Sequence, residues 1–183
     1  RGVYYRGEKV GFTVSQVVPI EGGYELQEDG HLQMSLLGAT TPAVLRTTAR
    51  VDRAFALTSF EFSLDPGTGP LRLSGTVDGL TLRITIASAG SERTETRTLK
   101  EPPALMLNMA RRLAANGLTA GATHQIMVFD PATLANQLPL ELSVVPGGLS
   151  TAKGGGGRTW NDFTWSTGPP PASSPFPHVH ASG

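Results

Sequence analysis

The segment from Leu71 to Ile86 constrains this chain more than any other. Leu71, Leu73 and Val77 alternate with Arg72, Ser74 and Thr76; Asp78-Gly79 intervenes; Leu80, Leu82, Ile84 and Ile86 then alternate with Thr81, Arg83 and Thr85. Side chains on a strand point to opposite faces in turn, so a period of two puts all the apolar residues on one side. Two such runs around Asp-Gly predict a hairpin closed by a type I′ turn, which needs positive φ at both central residues. One face of the resulting sheet is apolar and the other carries Thr, Arg and Ser, as suits an antiparallel sheet with one solvated side.

The first half of the chain extends the same theme. Gly2–Arg6, Lys9–Val18, Tyr24–Leu37 (interrupted at Asp29-Gly30), Ala43–Asp52 and Phe55–Asp65 read as strands. They are separated by Gly7-Glu8, by Ile20-Glu21-Gly22-Gly23 and by the loop Pro66-Gly67-Thr68-Gly69-Pro70, where Gly and Pro cannot continue a ladder. After a turn at Ala89-Gly90, the run Ser91–Leu99 carries Glu92, Arg93, Glu95 and Arg97 and reads as an edge or solvent-facing strand, its charges deterring edge-to-edge pairing. With 22 Gly and 14 Pro and only 16% charged residues, the composition favours a turn-rich β protein over a helical bundle. A length of 183 residues suffices for one domain with a real core.

One helix is expected, over about 103–116. Pro102-Pro103 stands at its start, Asn116-Gly117 ends it, and Arg111 and Arg112 complement the dipole near its C-terminus. Leu105, Met109 and Leu113 recur at i, i+4 and i+8, with Met106 beside them, and this stripe faces the apolar side of the sheet. The same four residues, Leu105, Met106, Met109 and Leu113, are the candidates for lining an apolar ligand cavity; ordinary core packing would use them equally. His124–Phe129 reads as a strand, Asp130-Pro131-Ala132-Thr133 as a turn or short helical start, and Leu138–Val145 as the last strand. From Pro146 to Gly183 periodicity is lost, and the runs Gly154–Gly157 and Pro169–Pro171 predict a disordered tail. The domain is therefore placed at 1–145 and the tail at 146–183.

Several classes of function are disfavoured directly. Fifteen Lys and Arg balance fifteen Asp and Glu, which gives no electrostatic footprint for nucleic acid or a polybasic anchor. Without cysteine there is no thiol nucleophile, disulfide, Cys-ligated zinc or iron–sulfur cluster. No apolar run approaches the roughly 18–20 residues that span a bilayer. The chain begins at Arg1, inside a strand-like segment, as it would if a leader had been removed.

The remaining candidates for chemistry are isolated. His178 and His180 alternate and so could share a metal, but no third ligand stands nearby. His31 and His124 belong to no Ser/His/Asp spacing, and the chain has no Gly-x-Ser-x-Gly elbow. Gly154–Gly157 followed by Arg158 lacks the Gly-Lys-Ser/Thr and helix that a phosphate loop requires. Trp160 and Trp165 are large apolar groups in a polar tail and read as incidentally exposed. No catalytic residue, metal site or cofactor is expected.

Two blocks resemble a known family. Gly2-Val3-Tyr4-Tyr5-Arg6-Gly7-Glu8-Lys9-Val10-Gly11-Phe12 is similar to the opening strand pair of the β-rich region preceding the catalytic domain of bacterial transglutaminase-like proteins. Pro102-Pro103, the helix up to Gly117, Leu118, Gly121 and Val128–Leu134 resemble a second block of that region. The resemblance spans about 2–145 and implies a mainly β (α+β) fold, a curved antiparallel sheet or half-barrel with one helix on its concave face. It also implies a periplasmic or secreted bacterial protein. The catalytic Cys/His/Asp domain would lie elsewhere, and no catalytic residue carries over. After Val145 the chain departs from the family, as a truncated or out-of-frame tail would. The leading expectation is a non-catalytic accessory or scaffold module whose partner is a transglutaminase-like domain. The alternatives are a carrier holding a lipid or other apolar ligand between sheet and helix, by fold analogy, and an uncharacterised hydrolase.

Overall fold

The computed structural model describes residues 2–5, 8–36, 39–134, 137–145, 148–154 and 163–164. Strands β1 (Gly2–Tyr5), β2 (Glu8–Ile20), β3 (Gly23–Leu36), β4 (Ala39–Asp52), β5 (Leu57–Asp65), β6 (Leu71–Asp78), β7 (Thr81–Ser88) and β8 (Ser91–Thr98) lie side by side in chain order in one antiparallel sheet. Each neighbour in sequence is the neighbour in space, so no connection crosses the sheet. Helix α1 (Met106–Ala115) follows. β9 (Thr123–Val128), β10 (Leu138–Val145), β11 (Gly148–Gly154) and β12 (Phe163–Thr164) then form a second antiparallel sheet in the order β12-β11-β10-β9. The fold is mainly β with one helix, as the alternation predicts.

The register explains the burial. Leu26, Ala49, Phe60, Gly75 and Ile84 form one row across β3 to β7, and Thr47, Phe62, Leu73 and Ile86 form the next. All nine residues are buried. The opposite face is polar but for one alanine: Thr48, Glu61, Ser74 and Thr85 in one row, Arg46, Ser63, Arg72 and Ala87 in the other.

Several boundaries differ from the sequence-based expectations. β3 runs unbroken through Asp29-Gly30, where Gly30 is buried opposite Thr13 and Leu45. A Cβ on Gly30 would lie 3.0 Å from the Thr13 side chain and 3.4 Å from that of Leu45, so the neighbours occupy the space a side chain would take. In the β6–β7 hairpin, Asp78 pairs with Thr81, which makes Gly79-Leu80 the turn. Only Gly79 has positive φ there, as in a type II′ turn, so the type I′ expectation is corrected. Leu80 accordingly belongs to the turn and is 44% exposed. At Ala89-Gly90 both φ values are positive, 50° and 78°, and this turn is the one with the type I′ pattern.

The helix begins later than Pro103. Ala104 forms a parallel bridge with Val128, donating to the Met127 carbonyl at 3.4 Å and accepting from the Phe129 amide at 2.8 Å. Those bonds hold the backbone extended until Leu105, which becomes the N-cap. Arg112 does not only complement the helix dipole: its guanidinium donates to the carbonyls of Pro102 and Pro103 at 3.0 and 3.1 Å.

Within the segment read as a tail, two described stretches join the second sheet. Gly148–Gly154 pairs with β10 from Val145↔Gly148 to Leu140↔Gly154, and Phe163–Thr164 pairs with β11. β10, already paired with β9 on one side, offers the second side of its ladder to receive Gly148–Gly154.

Two cores result, and one short junction links them. Ala104 and Val128 pack with Met109, Ile126, Leu140 and Leu142 against the second sheet. The next residues in each segment, Leu105 and Phe129, turn the other way and enter the core of the eight-stranded sheet. Alternation along two extended backbones joined at a bridge thus sends neighbouring side chains into opposite layers.

Candidate functional site

The space between helix and large sheet is where an apolar ligand would sit. Leu105 is 2% exposed and belongs to the first core, with Phe60, Leu73 and Ile84. Met109 is fully buried in the second core, where Met106 and Leu113 pack as partly buried neighbours. The four candidate residues therefore face two different layers and do not converge on one space. Phe129 occupies the first core beside Leu105, its ring centroid 5.7 Å from that of Phe60. Core side chains fill this helix–sheet contact.

Its organising polar residue is Asn108, which the sequence reading did not single out. Asn108 is fully buried. Its Oδ1 accepts from the Leu105 amide at 2.7 Å, and its Nδ2 donates to the Phe55 carbonyl at 2.9 Å. One side chain thus satisfies a backbone amide at the helix start and ties the helix to the β4–β5 turn. That turn is itself braced. Asp52 Oδ1 accepts from the amides of Ala54 and Ala56, both at 2.8 Å. Phe55 has φ 59°, and its ring stacks on Tyr24 at 4.7 Å with 2° between the planes. The available signal was an amide side chain inside an apolar stripe, three residues after the N-cap, where Glu or Gln commonly reaches back to the cap backbone and Asn108 does so here.

Arg97 gives a second such contact. It lies opposite Leu82 on the buried side of β8, so this strand is not simply solvent-facing, although it ends the sheet. Arg97 pairs with Glu95, donates to the Leu134 carbonyl at 3.0 Å and lies 5.9 Å over the Phe129 ring. It holds the loop after β9 against the sheet edge through hydrogen bonding and cation–π attraction.

The solvent face of the large sheet carries a trough of about 320 Å³. Its lining combines long charged side chains, Arg46, Glu61, Arg72 and Glu92, with the small side chains of Ser63, Ser74 and Ala87. Arg46 Nε donates to Asp29 Oδ1 at 2.7 Å. Two cations and two carboxylates with hydroxyls between them can hydrogen-bond a polar partner surface. The lining contains no histidine or cysteine to pair with its serines as base or nucleophile.

The histidines are placed apart. His31 stands exposed on the outer face of β3, its ring 5.3 Å from that of Phe12. His124 is in the second sheet opposite Leu142, and its Nε2 is buried without a hydrogen-bond partner. Among the described residues, no group of three or more His, Cys, Asp or Glu is arranged to hold a metal ion. No helix among them is long and apolar enough to cross a membrane. Trp160, Trp165, Arg158, His178 and His180 lie outside the described residues.

The fold and these contacts define a mainly β (α+β) protein with a helix held between two antiparallel sheets. No family model and no curated protein matches the chain. Among solved structures it is similar to a DUF1089 family protein from Pseudomonas aeruginosa, with a TM-score of 0.55, 15% identity, and coverage of 84% of this chain and 83% of that one. At this identity the likeness shows the fold.

Proposed function

We propose that this chain is a non-catalytic scaffold module of a bacterial cell-envelope protein, which presents its solvent-facing sheet to a partner domain. The observation that carries the reading is the filled contact between helix and sheet. Leu105 and Phe129 are buried there, Met109 is buried on the side of the second sheet, and Asn108 commits its side chain to two backbone groups. A body packed in this way keeps its shape and leaves recognition to its surface. The trough lined by Arg46, Glu61, Arg72 and Glu92 offers balanced charge and small side chains for a polar contact. The partner, a transglutaminase-like catalytic domain, and the periplasmic or secreted location both rest on the resemblance of the Gly2–Phe12 and 102–134 blocks. One feature of the first block has a local physical reason: a Cβ on Gly11 would come within 2.1 Å of the His31 carbonyl oxygen.

The test is a nuclear magnetic resonance titration of the labelled chain with a purified bacterial transglutaminase-like catalytic domain, alongside an amine-incorporation assay. The reading expects saturable shifts at Ser63, Ser74 and Ala87 and no incorporation by the chain alone. Turnover by the chain alone, or no shifts with the domain at high concentration, would overturn it.

A further inference from the structure

We draw no further inference here: the strongest candidate, the exposed apolar row of Phe12, Val14, Val18 and Ile20 on the outer face of β2, carries nothing because nothing in the structure shows what covers it.

Discussion

Asn108 Nδ2 donates to the Phe55 carbonyl at 2.9 Å, across 53 residues of sequence, and so binds the start of the helix to the turn between β4 and β5. Replacing Asn108 with Ala leaves the Phe55 carbonyl and the Leu105 amide without partners in a buried place. Each such group costs about 1–3 kcal/mol, so the variant is expected to lose roughly 2–6 kcal/mol. Urea denaturation followed by circular dichroism measures this directly. A loss under about 0.5 kcal/mol, the range of an ordinary surface change, would show that the clamp is unimportant.

Gly75 lies opposite Phe60, and a Cβ built on it would stand 2.2 Å from the Phe60 ring. The ring covers the glycine and also packs against Phe129. Gly75→Ala is therefore expected to cost about 1–3 kcal/mol through overpacking. Phe60→Leu frees the space, so in the double variant the alanine should cost at least about 0.5 kcal/mol less than in the wild-type background. Strict additivity would mean that the ring and the glycine are not coupled.

Arg97→Met keeps much of the aliphatic bulk but removes the bond to the Leu134 carbonyl and the cation over Phe129. A hydrogen bond to a charged group is worth about 1.5–3 kcal/mol, and the loss should be local. Hydrogen exchange is expected to quicken in residues 129–134 while β3 to β5 remain protected. Uniformly faster exchange across the large sheet would contradict this assignment.

His124 Nε2 is buried without a partner. An apolar replacement has no donor or acceptor to leave unsatisfied, so His124→Leu is expected to be neutral or stabilising by up to about 1 kcal/mol. Thermal denaturation of the two proteins decides the matter. A marked destabilisation would indicate that the imidazole makes an essential bond in solution.

Much of the large sheet was legible because its alternation is strict where one face is solvated. Leu82, Ile84 and Ile86 are buried as their spacing predicts, with Thr81 and Arg83 exposed between them. Leu80 falls in the turn, whereas period two extrapolates through it because the turn residue is itself apolar. The helix starts later than its pattern predicts for a tertiary reason: the Ala104–Val128 bridge joins segments distant in sequence, and no local pattern announces it. The second-sheet strand Gly148–Gly154 was hidden by glycine content, a compositional signal that the ladder from β10 overrides. At the helix, the spacing of Leu105, Met109 and Leu113 identified a buried stripe, but periodicity could not say which layer each side chain enters. Nor could it single out Asn108, whose role depends on a carbonyl 53 residues away.

The central claim is that the helix–sheet interior is filled and that binding belongs to the surface. Native mass spectrometry of the full chain, purified without detergent and then exposed to fatty acids and phospholipids, tests it most directly. The account predicts the mass of the bare chain before and after exposure. A stoichiometric acyl-type ligand, lost when Leu105 or Met109 is replaced by a bulkier side chain in a variant that still folds, would contradict it and establish a carrier.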